Sequence, residues 1–251
     1  MSETETTVDK SKERVRAMFG EIAPKYDLLN NLLSVGLAPR WRRKFVAEVF
    51  KRVSTTDARE IETLDVATGT GDVVLEERRQ WTKREQREPQ TPSLKTIGVD
   101  FTPQMLELAR EKARGVEFIE ADGCDLPFED GRFDAVTISF GLRNMTDPGK
   151  GVAEMARVCR PGGVVAILEF SPTKFPIFAP IFRFYFHHIL PAIGRRVARD
   201  KTDAYRYLPA SVDAFDSRDV VLEHMRANGL TNASWRGMTF GVLGIFIGEK
   251  R

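Results

Sequence analysis

The segment Leu64-Asp65-Val66-Ala67-Thr68-Gly69-Thr70-Gly71-Asp72 constrains this chain more than any other. An apolar run from Ile61 to Ala67 leads into two glycines separated by one residue, and a helix-like segment follows. The pattern predicts a strand, a tight turn and a helix start. Glycine lets the backbone approach a ligand closely, and the free N–H groups of a first helical turn point toward it. A nucleotide-type ligand is the natural occupant. The dinucleotide fingerprint asks for a third glycine three residues after Gly71, but Val74 stands there.

Around this turn, strand-like runs at 61–67, 95–100, 116–120, 133–140 and 162–170 alternate with helix-like runs at 72–81, 103–114 and 148–159. Thr102 suits a cap for the second helix and Pro103 its first position. Repeated strand–helix–strand units predict a mostly parallel sheet with helices on both faces. Residues 1–10 read as a disordered tail, and 11–251 as a single domain. Its N-terminal helices fall within 11–55, broken at Pro24 and resuming at Arg40, and an insertion on the substrate side covers about 171–216. The charged stretch Gln80–Ser93 carries two prolines and reads as a surface loop. Near the end, Ser217–Asn228 reads as a helix capped by Ser217 and stopped at Gly229. Runs at 232–238 and 240–248 then form a hairpin, which requires an antiparallel edge.

The acidic residues extend the ligand reading. Asp65 precedes the glycine turn, Asp100 ends the second strand, and Asp122-Gly123 follows the third. An acid at the second position accepts hydrogen bonds from ribose hydroxyls in doubly wound folds. Asp122 or the neighbouring amide can read an adenine edge. Ser139 and Phe140 close the fourth strand, beside the same crevice. Val74 and the terminal hairpin argue against a dehydrogenase. They favour the nucleoside loop of a methyltransferase that uses S-adenosylmethionine (SAM). The expected architecture is the class I, Rossmann-like α/β fold, with a mostly parallel seven-stranded sheet and an antiparallel C-terminal hairpin strand.

Composition narrows the classes further. A net charge of +2 gives no bias toward nucleic acid. Cys124 and Cys159 form no disulfide framework, and the three histidines lack metal-ligand spacing. The polar N-terminus has no signal-peptide core, so a cytoplasmic location is the simplest expectation.

At Ile138-Ser139-Phe140-Gly141-Leu142-Arg143-Asn144 the chain resembles the UbiE/MenG family of quinone-ring C-methyltransferases of menaquinone and ubiquinone biosynthesis. Phe19 with Ala23–Asn30 is similar to that family's N-terminal signature, and Leu64–Asp72 to its glycine loop. Asp122–Phe128, Arg160–Gly163, Leu168–Ser171, His188–Pro191 and Tyr205–Leu208 also match, so the resemblance runs from about residue 12 to 249. Its departures are the 80–93 stretch and Thr68, where many members carry glycine. The resemblance implies SAM contacts at Thr70, Asp100, Asp122, Gly123 and Ser139, and Asp65, Gly69 and Gly71 of the glycine loop complete the expected cofactor-binding set.

It also implies an acceptor: a polyprenyl hydroquinone, demethylmenaquinol before the demethylated benzoquinol precursor of ubiquinone. A sterol or tocopherol-type acceptor fits the motifs less well, and a non-catalytic SAM-binding scaffold is the alternative of another class. Methylating a ring carbon needs an ionised neighbouring hydroxyl, alignment, and proton removal. Arg143 stays protonated and is no base, but it could stabilise a quinolate oxygen or, with Asn144, orient a water. His188 has the intrinsic pKa of a base. Tyr26 and Asp27 are placed to close over the cofactor. Residues 171–194 are rich in Phe and Pro but too interrupted to span a bilayer. They suit a tail channel or a peripheral contact with the cytoplasmic membrane surface, helped by Arg40, Arg42, Arg43, Arg195, Arg196 and Arg199. A homodimer stays open.

Overall fold

The computed structural model describes residues 9–55, 60–171, 184 and 204–251. Seven strands form one sheet: β1 (Ile61–Val66), β2 (Leu94–Asp100), β3 (Glu117–Glu120), β4 (Phe133–Ser139), β5 (Cys159–Phe170), β6 (Leu230–Met238) and β7 (Leu243–Lys250). Their order is β3-β2-β1-β4-β5-β7-β6. The first five run parallel, while β7 lies antiparallel to β5 and to β6. This is the mixed edge expected of the class I fold. β1 sits centrally between β2 and β4, which explains its apolar run: a strand covered on both faces has few positions for polar side chains.

The helices are α1 (Lys12–Ile22), α2 (Tyr26–Leu33), α3 (Ala38–Phe50), α4 (Asp72–Arg87), α5 (Pro103–Lys112), α6 (Pro148–Val158), α7 (Ala204–Asp213) and α8 (Arg218–Ala227). One face of the sheet packs Val66, Ile138 and Ile167 against Val152 and Met155 of α6 and Val221 and Met225 of α8. The other packs Ala135, Ala166 and Leu168 against Phe45 and Val49 of α3 and Trp81 of α4. The chain runs outward from β1 to β3, then returns to place β4 on the other side of β1. That reversal opens a crevice beyond the carboxyl ends of β1 and β4, where ligands of such sheets bind.

The stretch read as a loop from residue 80 is largely helix. α4 continues to Arg87, and only 88–93 connect it to β2. Trp81 is 1% exposed, packs 4.9 Å from the Phe50 ring, and donates its indole N–H to Pro92 O at 2.8 Å. Lys, Arg, Glu and Gln are good helix formers, so charge alone does not mark a loop. Val74, Glu77 and Trp81 share the buried face; an acid at the middle position hides the apolar period. The expected caps also differ. Thr102 and Ser217 occupy N-cap positions without a side-chain capping bond, whereas Asp147 caps α6 by accepting from the Lys150 N–H at 2.9 Å.

Glu77 is fully buried, with Oε2 2.9 Å from Thr63 Oγ1, which in turn lies 3.0 Å from Thr96 Oγ1. Asp65 is 1% exposed and accepts from Thr137 Oγ1 at 2.8 Å. Burial pushes the Glu77 carboxyl up to about 8, with repulsion from Asp65 adding to it. Burial likewise lifts Asp65 to about 7. Both acids hold protons in the folded chain that the unfolded chain has released, so stability falls as pH rises from about 4.5 through 8. Glu77→Gln should flatten that decline in urea unfolding followed at pH 5, 7 and 8.5; a variant with the wild-type slope would contradict the assignment.

Candidate functional site

A cleft whose empty space, open solvent included, comes to about 730 Å³ lies at the carboxyl ends of β1, β2 and β4. Its floor is the glycine turn. Gly69 sits at φ +56° and Gly71, the residue before α4, at φ +80°. A Cβ on Gly71 would come within 3.3 Å of Ala109 and Phe118, so the turn packs tightly under α5. Ala67, at φ +50°, lines the cavity where β1 ends; a left-handed alanine is uncommon and needs its surroundings to hold it.

Asp100 joins this turn to the end of β2. Its Oδ2 accepts the Gly69 N–H and its Oδ1 the Thr102 N–H, both at 2.9 Å. Burial raises the Asp100 carboxyl, and these N–H bonds oppose that shift. Each oxygen has further acceptor capacity for a ligand hydroxyl.

Past β3, Asp122 Oδ1 accepts the Cys124 N–H at 2.9 Å, while Oδ2 pairs with Lys12. A salt bridge to Lys12 leads the interactions that hold the Asp122 carboxyl below its usual range against the cost of its burial. A Cβ on Gly123 would run into the Met145 side chain, so glycine is what lets Met145 pack against this turn. A second ion pair joins Arg16 to Glu120 at 2.6 Å. Four residues along a helix and two along a strand both span about 6 Å, so the two pairs form matching rungs. They pin α1 over the cavity, which Val15 and Phe19 roof. Lys10 also lines it, its ammonium pKa lowered by burial. These N-terminal contacts escape sequence reasoning because only the pairing with β3 gives the Lys12–Arg16 spacing a meaning.

Gly69, Asp100, Asp122, Gly123, Ser139 and Tyr26 all line the cavity. Asp65, Thr70 and Gly71 stand behind it. The Thr70 hydroxyl lies 2.6 Å from Asp27 Oδ1 and accepts from Lys112 Nζ at 2.9 Å. Lys112 also pairs with Asp27 and Asp72, each at 2.7 Å, and Asp72 pairs with Arg42 at 3.0 Å. Thr70 thus sits in a network tying α2 and α3 to the glycine turn.

On the far wall, Phe140 has φ +57° and its ring stands 4.9 Å from Phe170 and 6.3 Å from Trp41. Asn144 lines the cavity, and its Nδ2 donates to Phe140 O at 3.2 Å. Its Oδ1 is buried without a hydrogen-bond partner among the described residues. Arg143 does not line the cavity; it is 6% exposed and pairs with Glu169 at 2.8 Å. His188, Arg195, Arg196 and Arg199 lie outside the described residues.

The residues present fit an adenosyl ligand. A buried carboxylate with spare acceptor capacity stands at the end of β2, and a Cβ on Gly69 would meet only the Tyr26 ring at 3.7 Å, so a ligand can approach the backbone there. Among the described residues no cluster of His, Cys, Asp and Glu could hold a metal ion.

The ubiE/COQ5 methyltransferase family model matches residues 6–250. The chain is 45% identical over 245 residues to the ubiquinone/menaquinone biosynthesis C-methyltransferase UbiE of Geobacter sp. strain M21, covering 95% of this chain and 97% of that one. It is 43% identical to the demethylmenaquinone methyltransferase of Deinococcus radiodurans, covering 95% and 93%. Among solved structures, a SAM-dependent methyltransferase of Thermotoga maritima superposes with a TM-score of 0.56 at 17% identity, covering 94% of this chain and 99% of that one. That likeness speaks to the fold.

Replacing Asp100 with alanine should weaken S-adenosylhomocysteine binding by roughly 10- to 100-fold, the loss expected for hydrogen bonds to a charged group. Isothermal titration measures it directly; an unchanged affinity would contradict the ribose assignment.

Proposed function

The chain belongs to the ubiE/COQ5 methyltransferase family, and on that premise we propose that it transfers a methyl group from SAM to a ring carbon of a polyprenylated hydroquinone, demethylmenaquinol foremost. The observation that carries this reading is the single cavity that gathers Gly69, Asp100, Asp122, Gly123, Ser139 and Asn144 from the ends of successive strands. The names of relatives matched over nearly their whole length support the acceptor class. The double name of the Geobacter relative keeps the benzoquinol precursor of ubiquinone as a second acceptor.

When bound, SAM supplies an electrophilic methyl group on a sulfonium. Asp100 accepts from the ribose hydroxyls, and Asp122 with Gly123 borders the adenine. α1, with Val15 and Phe19, roofs the cavity and limits its contact with bulk water. The Phe140 ring offers a flat apolar wall to an aromatic acceptor. Arg143 stands behind that wall as the positive end of its ion pair with Glu169, and that end favours an ionised ring hydroxyl and so a nucleophilic neighbouring carbon. In the transfer the ring carbon would gain the methyl as the methyl–sulfur bond breaks, S-adenosylhomocysteine would be the leaving group, and the ring carbon would release its proton. Arg143 cannot take that proton, and a water in the cavity beside Asn144 would carry it away. His188, outside the described residues, is the candidate acceptor on its intrinsic pKa. The long acceptor tail gives a role to the Phe- and Pro-rich segment 171–194 and to peripheral contact with the membrane surface. Among the described residues no helix is long and apolar enough to cross a membrane.

The test is incubation with methyl-labelled SAM and, separately, reduced demethylmenaquinone and the reduced demethylated ubiquinone precursor, with mass spectrometry of the product. A labelled ring carbon on the first is expected; transfer to neither, with SAM bound, would overturn the reading. Arg143→Ala should lower turnover by roughly 100-fold, the scale seen when one electrostatic stabiliser is removed, with SAM affinity nearly unchanged. Equal loss of both would make the residue purely structural.

A further inference from the structure

The most deeply buried ion pair beside the cavity, among the described residues, joins two side chains that do not line it. Glu169, the penultimate residue of β5, is fully buried. Its Oε1 accepts from Arg143 Nη1 and from the Phe170 N–H, each at 2.8 Å, and its Oε2 accepts from the Arg143 N–H at 3.3 Å. The same Arg143 Nη1 donates to Phe140 O at 2.6 Å, and Asn144 Nδ2 donates to that carbonyl at 3.2 Å. One carboxylate therefore grips both the backbone and the side chain of Arg143, and through the side chain it holds the carbonyl of Phe140.

That grip falls where the backbone needs it. Phe140 adopts φ +57°, a conformation a bulky residue keeps only when its surroundings enforce it. Below the turn, the Phe140 N–H still donates to Leu168 O at 2.8 Å, so β4 stays registered with β5 up to the bend. Beyond the bend, Phe140, Gly141 and Asn144 face the cavity while Arg143 and Glu169 do not. A buried charge left alone is costly, and here Glu169 is what lets a guanidinium sit behind an aromatic wall at all. Arg143 Nε has no hydrogen-bond partner among the described residues.

We propose that Glu169 is a positioning residue for the acceptor ring: through Arg143 it fixes the Phe140–Asn144 turn, and with it the Phe140 ring and Asn144 amide that meet the ring to be methylated. This inference rests on the methyl-transfer reading above. It separates two ends of one cavity, since Asp100 and Asp122 hold their places through bonds that do not involve Glu169.

The test uses the full chain with Glu169→Gln, which keeps shape and removes charge. Turnover with the hydroquinone should fall by roughly 100-fold, the scale of an ångström-sized misplacement, and the acceptor KM should rise. The dissociation constant of S-adenosylhomocysteine should stay within about twofold of wild type, because the bonds Asp100 makes are untouched. Amide hydrogen exchange of residues 140–146 should accelerate selectively. A second arm adds guanidinium ion to Arg143→Ala: activity should be partly restored when Glu169 is present and not in Arg143→Ala with Glu169→Gln. If Glu169→Gln fails to fold, Arg143→Gln with Glu169→Gln removes both charges together. That double variant should fold and keep the turnover defect. Wild-type turnover in it, equal loss of SAM-side affinity, or unchanged exchange of 140–146 in a folded variant would overturn the proposal. A wild-type enzyme inactive on hydroquinones, with exchange of 140–146 still dependent on Glu169, would instead overturn the acceptor reading alone.

Discussion

The site depends on one carboxylate bonded to two turns. Asp100 accepts the N–H of Gly69 from the first strand's turn and the N–H of Thr102 from the start of α5. Without it, the glycine turn and the β2–α5 turn would each be free to choose their own conformation. With it, the ends of two parallel strands become one surface, and the carboxylate that joins them is also the group best placed to meet a ribose. In the proposed reading, the carboxylate that holds the turn is also the one that binds the ligand. Burial works against the charge on Asp100, and the two N–H donors offset that cost locally.

The rest of the cavity closes around this joint from two sides. On one side, α1 is fastened by Lys12–Asp122 and Arg16–Glu120, and α2 by the Asp27–Thr70–Lys112 network. These are partly exposed ion pairs, which are individually weak and sensitive to salt. On the other side, the turn after β4 is fastened by Glu169 and Arg143, a pair sealed from solvent. The roof is thus held by partly exposed pairs and the wall of the proposed acceptor site by a buried one.

Much of this was legible in the chain. The central strand, the paired glycines and the strand-end acids Asp100 and Asp122 follow from local pattern, because parallel strands in one fold type present their ends to one crevice. The antiparallel edge followed from two strand runs too close together for a crossover. What sequence hid was of two kinds. Glu77 interrupted the apolar face of α4, so the helix looked like a charged loop, although Trp81 marked the continuing stripe. Pairings between distant residues left no local trace. Nothing near Arg143 announces Glu169 twenty-six positions later, and nothing near Lys12 announces Asp122. Thr70 illustrates the middle case: the residue is at the site, but its hydroxyl serves Asp27 and Lys112 from behind the cavity wall.

The most direct measurement is a crystal structure with S-adenosylhomocysteine bound. The account requires the ribose hydroxyls on Asp100, the adenine beside Asp122 and Gly123, and the sulfur turned toward the wall of Ser139, Phe140 and Asn144. A ligand seated elsewhere, or one in the cavity that leaves Asp100 bonded only to Gly69 and Thr102, would contradict it.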